Sequence, residues 1–161
     1  MVDISWIQSP NYDQRSRIEY VDTIVVHSTA GGTLESVARW FANPESKVSA
    51  HFTIGKDGSI VQSVSTFCRA WHAGVSIDRL GREHVNDFSI GIELVNANDG
   101  KDPYPSRQVE VLGFLIKTLC RRFDLKYIVS HEFIAVPKGR KSDPAGFPWN
   151  SLDHLGLQIS K

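Results

Sequence analysis

The sequence has little cysteine, no net charge and no long apolar run. Two cysteines in 161 residues, Cys68 and Cys120, cannot build a disulfide framework, so the fold must rest on a hydrophobic core. Cys120 falls on the apolar side of a predicted helix and is expected in that core. Eighteen Lys and Arg balance eighteen Asp and Glu. Without a basic surplus the chain is not a general polyanion binder, because nucleic-acid affinity depends on a basic surface. Only a local basic patch remains, around Lys138, Arg140 and Lys141. No apolar run approaches the roughly 20 residues that span a bilayer, which argues against membrane insertion. Met1 to Trp6 lacks the basic and apolar segments of a signal peptide, so the chain is expected to be soluble and cytoplasmic. Repeats and low-complexity tracts are absent as well. What is present, 41% apolar and 22% charged residues, is ordinary globular composition. The chain is read as one domain over residues 1–161, long enough to bury a real core, with an irregular lead-in over about residues 1–20.

The apolar pattern places the elements. Thr23-Ile24-Val25-Val26 is a β-branched run and predicts a buried strand. His27 closes it, and the small residues Ser28 to Gly32 leave room for something to approach the backbone. Thr33 predicts an N-cap for a helix to about Phe41, with Leu34, Val37, Ala38 and Phe41 on one face. Residues 49–54 alternate, 56–59 are turn residues, and 60–64 return, which predicts a hairpin. Residues 67–74, holding Trp71-His72-Ala73-Gly74, read as loop, and 75–87 as a polar excursion. In the strand predicted over 88–95, Phe88, Ile90, Ile92 and Leu94 share one face. Ser89, Gly91, Glu93 and Val95 share the other. A helix from Ser106 to about Phe123 presents Val109, Leu112, Ile116, Leu119, Cys120 and Phe123. Tyr127 to Val129 reads as a strand, 132–148 as loop, and 149–155 as a short helix. This order predicts an α/β fold with a mixed central β-sheet packed by helices.

Candidate chemistry sits at strand ends. His27 and His131 each follow an apolar run, so both can lie at one end of a sheet. Asp143 follows in a loop able to fold back. Two nitrogens and one oxygen suit catalytic zinc, which keeps a fourth position for water. Taken singly, each histidine would more often be a core histidine with its hydrogen bonds satisfied. Glu93, inside a strand beside Gly91, is either on an exposed sheet face or a general base held near water. Lys141 is either a solvated lysine or a cation placed for an oxyanion.

Five stretches occur together in order: Ile24-Val25-Val26-His27-Ser28-Thr29-Ala30; Val48-Ser49-Ala50-His51-Phe52-Thr53-Ile54 with Asp57-Gly58; Ala70-Trp71-His72-Ala73-Gly74; Ser89-Ile90-Gly91-Ile92-Glu93-Leu94; and Ser130-His131 with Gly139-Arg140-Lys141-Ser142-Asp143-Pro144. With them the sequence resembles the type-2 N-acetylmuramoyl-L-alanine amidase family, which includes recycling amidases, phage lysins and peptidoglycan recognition proteins. The resemblance covers roughly residues 20–150. It implies a peptidoglycan-recognition-protein-like fold, zinc held by His27, His131 and Asp143, and catalytic roles for Glu93 and Lys141. It also implies hydrolysis of the amide joining the muramyl lactyl group to L-alanine, in peptidoglycan or muropeptides. The alternative is a peptidoglycan-binding module without catalysis. Asp143 stands where lysins of the family often have cysteine, and Ala50 where they have tyrosine. All three ligands are kept, unlike in purely binding members, which favours the Asp-ligand enzymes. The segment Glu132 to Lys138 departs from the family's usual one.

Trp71 and His72 either line the substrate groove, with the indole on a sugar face, or simply fill the core. His51 is expected to be structural or in the cleft floor, and His84 and His154 on the surface. Glu132 is set aside as base because neighbours in a strand face opposite ways. The protein is expected to work as a monomer on peptidoglycan or a muropeptide, without nucleic acid. A lysin role would require release through a holin.

Overall fold

The computed structural model describes residues 4–161; the start of the expected lead-in and of the Met1–Trp6 signal reading lies outside them. The strands are β1 (Ile4–Trp6), β2 (Tyr12–Gln14), β3 (Thr23–Ser28), β4 (Phe52–Ile54), β5 (Ile60–Gln62), β6 (Cys68–Ala70), β7 (Ser89–Leu94), β8 (Tyr127–Ser130) and β9 (Gln158–Ser160). The α-helices are α1 (Leu34–Ala42), α2 (Ser106–Leu119) and α3 (His131–Ile134). Among the described residues, seven strands form one sheet in the order β1-β5-β4-β7-β3-β8-β9. The β4–β5 hairpin is antiparallel and every other pairing is parallel. Strands β2 and β6 form a separate antiparallel ribbon. The mixed α/β sheet expected from the sequence is therefore present.

The centre of the sheet is buried on both faces, as parallel strands between layers must be. All six residues of β3 are buried. On one face Ile24, Val26, Ile90, Ile92 and Leu94 meet Val111, Leu112, Leu115, Ile116 and Leu119 of α2. On the other face Val25 and Val129 pack with Ala73, Val85, Phe88 and Ile134. Helix α1 begins as expected: Thr33 accepts from the Ser36 amide at 3.2 Å, and the Thr33 amide donates to Ser36 Oγ at 2.8 Å. No helix among the described residues is long and apolar enough to cross a membrane.

Several expectations need correction. The lead-in is not irregular throughout, since it contributes β1 and β2. Each is three residues long and pairs with a partner more than fifty positions away, so no local period announces it. The same holds for β6 inside the expected loop 67–74. Cys120 is exposed, not core. It caps α2, and the buried stripe runs through Gln108, Val111, Leu112, Leu115, Ile116 and Leu119, leaving Cys120 one step past the edge. Phe88 is not extended; it ends a turn of 3₁₀-helix over Val85–Asp87 and packs on the face opposite Ile90.

The polar excursion over 75–87 is pinned to the body by Arg82. Its guanidinium donates to both Asp22 oxygens at 2.8 and 3.1 Å and to Asp78 at 2.7 Å, and lies 4.0 Å from the centre of the Phe88 ring.

Candidate active site

Parallel pairing of β3 with β8 aligns Val26 with Ser130, so His27 and His131 emerge side by side. Ser130 caps α3 by accepting the Phe133 amide at 3.0 Å. His131 thus opens a helical turn rather than a loop, and the next residue, Glu132, points to solvent. Glu132 faces away because of that turn, not through strand alternation. The loop holding Asp143 returns because the Glu132 amide donates to the Asp143 carbonyl at 2.9 Å. Asn98 holds its far side, accepting the Ala145 amide at 2.7 Å.

The result is a triangle of donor atoms. His27 Nδ1 and His131 Nδ1 are 3.0 Å apart. Asp143 Oδ2 stands 3.0 Å from His131 Nδ1 and 3.4 Å from His27 Nδ1. Donors around a tetrahedral zinc, at bond lengths near 2.0–2.1 Å, are about 3.4 Å apart. All three residues are buried. His131 Nε2 lies 3.2 Å from the Ala73 carbonyl, which can only accept. The His131 proton therefore sits on Nε2 in the neutral ring, and its Nδ1 lone pair faces the triangle. Donor type, spacing and tautomer all fit a zinc ion.

Charge agrees with this. Burial, and then the charge of His131, push His27 down to about 4, against the pull of Asp143. Burial opposes ionisation of Asp143, but the adjoining His131 and His27 rings outweigh it and hold the carboxyl well below the usual range. At neutral pH His27 is neutral and Asp143 ionised, as metal binding needs.

Glu93 lies beside His27 in the β3–β7 register. Its Oε2 is buried without a protein hydrogen-bond partner. Burial first, and then the Asp143 charge, push the carboxyl up to about 8, with Lys141 acting the other way. Such a carboxyl can take and return a proton near neutral pH.

The sequence model for N-acetylmuramoyl-L-alanine amidase matches residues 16–146. The chain belongs to the N-acetylmuramoyl-L-alanine amidase family. It is similar to the 1,6-anhydro-N-acetylmuramyl-L-alanine amidase AmpD of Enterobacter cloacae. The two are 36% identical over 182 residues, which cover 99% of this chain and 93% of that one. Among solved structures it is similar to a selenomethionine derivative of AmpD, with TM-score 0.79 and 33% identity over 96% of this chain and 98% of the other. It is also similar to the amidase AmiD from E. coli, solved with anhydro-N-acetylmuramic acid-L-Ala-D-gamma-Glu-L-Lys. There the TM-score is 0.76 and the identity 29%, over 91% of this chain and 61% of that one. The chain is thus an enzyme of this amidase class, and the reading as a binding module without catalysis is set aside.

The amidase carries a cleft of about 650 Å³ with the donor triangle and Glu93 in its wall. Lys141 lines it from an exposed position. Trp71 and His72 line it too. The Trp71 indole donates to Asp13 at 2.7 Å, so the ribbon from the lead-in fixes its edge. His72 faces protein atoms with both ring nitrogens. His51 is not part of the lining; it is fully buried and structural, taking the Gly91 amide on Nδ1 at 3.0 Å. His84 and His154 are exposed, as expected.

Sequence reasoning missed Trp40 and Arg140. Trp40 is 55% exposed and lines the cleft with Val37 and Val48; an aromatic on the outward face of an amphipathic helix was the available signal. Arg140, grouped with the basic patch, donates to the carbonyls of Ala73 at 3.1 Å, Val75 at 2.8 Å and Val136 at 2.9 Å. It holds the Ala73 carbonyl that orients His131.

The buried histidines set the acid limit of the metal-free amidase. His27 is depressed to about 4 and His51 to about 3 from 6.5, and His72 lies well below 6.5, in each case chiefly through burial. Between those values the unfolded chain binds protons that the folded chain does not. Stability is full above about 6.5 and is lost as pH falls toward 4 and 3. Urea unfolding of chelator-treated protein should show a midpoint that drops between pH 7 and 5. A flat midpoint across that range would contradict the neutral buried imidazoles.

Proposed function

We propose that this amidase hydrolyses the amide between the lactyl group of N-acetylmuramic acid and L-alanine, using zinc held by His27, His131 and Asp143. The observation that carries this is the donor triangle standing beside a buried, unpartnered carboxyl oxygen of Glu93. Bound zinc would supply Lewis acidity toward the amide carbonyl and make water a stronger acid, with a pKa near about 7.

Glu93 takes one proton from the attacking water and delivers it to the leaving nitrogen of L-alanine. The water oxygen joins the carbonyl carbon and the carbon–nitrogen bond breaks. The products are the muramyl carboxylic acid and the free amine of the stem peptide. Lys141 supplies positive charge in the cleft as the carbonyl oxygen becomes negative. Trp71, held at its edge by Asp13, offers an indole face to the sugar. Likeness to AmpD over nearly the whole chain supports a 1,6-anhydro muropeptide as substrate.

The test is mass spectrometry of products from a defined anhydro-muropeptide, with zinc-loaded and chelator-treated protein side by side. Free L-alanyl peptide is expected only with zinc. Equal release in both samples would overturn the metal assignment. Intact substrate in a sample of confirmed zinc occupancy would overturn the substrate assignment.

A further inference from the structure

We infer that His72 is a positioning residue for His27, one that fixes which nitrogen His27 turns toward the metal triangle. This inference rests on the metal reading above and goes beyond it. It follows from counting protons along a short buried chain. His27 Nε2 lies 3.0 Å from His72 Nδ1. His72 Nε2 lies 3.3 Å from Ser89 Oγ. Ser89 Oγ donates to the Val85 carbonyl at 2.6 Å.

The Val85 carbonyl has no proton to give, and a hydroxyl has only one. Ser89 spends that proton on Val85, so toward His72 it can only accept. His72 must therefore carry its proton on Nε2, which leaves His72 Nδ1 as a bare acceptor. His27 must then donate from Nε2, and its own Nδ1 is left bare. That bare nitrogen is the one 3.0 Å from His131 Nδ1 and 3.4 Å from Asp143 Oδ2. One backbone carbonyl, two side chains away, thus sets the tautomer of His27. The Ala73 carbonyl does the same for His131 in one step.

Two further observations show that the place is built for this ring. A Cβ on Gly91 would lie 2.5 Å from His72 Cγ, so only glycine in β7 leaves room for the imidazole. The ring also stands edge-on to His27 and to His51, with centroids 5.1 and 5.8 Å away. Both nitrogens of His72 are committed inside the fold, which leaves none for a sugar or peptide. Gly91 and Ser89, both on the face of β7 that carries Glu93, gain a role in one stroke.

The test uses two readouts. Long-range ¹H–¹⁵N correlation spectra of the metal-free protein report the His27 tautomer, and competition with a chromogenic chelator reports zinc affinity. The expected results are a proton on His27 Nε2 and a loss of about 10–100-fold in zinc affinity for His72→Leu. His72→Asn can present an amide oxygen near the lost Nδ1, and should recover most of that affinity. Ser89→Ala removes the end of the chain at little cost in volume, and should yield a mixture of His27 tautomers even if His72→Leu does not fold. A proton on His27 Nδ1 in the metal-free wild type, or wild-type zinc affinity in folded His72→Leu, would overturn the inference. So would an unchanged His27 tautomer in Ser89→Ala. The tautomer is read without zinc, so failure of the metal reading and failure of this inference are separable.

Discussion

Glu93→Gln is expected to lower kcat by about 10²–10⁴-fold, the usual worth of a positioned acid–base group, with zinc content unchanged. Glutamine keeps the size and polarity of the side chain but cannot carry a proton from water to the leaving nitrogen. The loss should fall on kcat rather than KM, since Glu93 is proposed to act on the reacting atoms and not to hold the substrate. Steady-state kinetics on an anhydro-muropeptide, with zinc measured in the same samples, would check it. Activity within a few-fold of wild type would remove Glu93 from the mechanism.

The same substitution has a second signature in chelator-treated protein. The folded carboxyl holds its proton up to about 8, against 4.5 for an ordinary glutamate, chiefly because it is buried. Below 4.5 Glu93 is neutral in both folded and unfolded chains, and its stabilising contribution is complete. As pH rises toward 8 the unfolded chain ionises first, and that contribution is lost. Metal-free Glu93→Gln should therefore be more stable than metal-free wild type above pH 8, with the gap closing toward pH 4.5. Each unit of pKa difference is worth about 1.4 kcal/mol, so the gap at high pH should be readily measured by urea unfolding. Equal midpoints at pH 9 would show that Glu93 is hydrated in solution.

Asp143→Asn is expected to lower zinc affinity by more than about 100-fold, beyond the range typical of an outer hydrogen-bond partner. The substitution keeps the shape but removes the only anion in the triangle. His27 and His131 then offer two neutral nitrogens to a dication, with no carboxylate to balance it. Catalysis should fall in step with occupancy and recover partly at high zinc. Chelator competition and activity against added zinc would separate the two effects. Zinc bound at wild-type affinity by Asp143→Asn would exclude Asp143 as a ligand.

The elements that position this site are largely legible in the sequence. β3 and β7 announce themselves through β-branched and alternating runs, and α1 and α2 through apolar spacing of three and four. Strand ends are legible too, which is why His27 and His131 can be placed at one edge. The short strands β1, β2, β6 and β9 are not, because three residues contain no period and their partners are distant. Cys120 and Phe88 fail for a related reason. Each lies at the end of an element, where one step of rotation decides between core and solvent, and local pattern does not fix that step.

By itself, then, the sequence determined the central strands, the two long helices and the residue types of the candidate site. The ordered stretches resembling the amidase family added which residues to group. Only the tertiary structure decided that three donor atoms meet within 3.0–3.4 Å. It also decided that one carboxyl oxygen of Glu93 is buried near them, that Arg140 serves backbone carbonyls, and that His72 answers to Ser89. Periodicity is a property of neighbours along the chain. Tautomer, desolvation and ligand spacing are set through space, by groups brought together from residues 27, 72, 89, 93, 131 and 143, and they take their values only once the fold has closed.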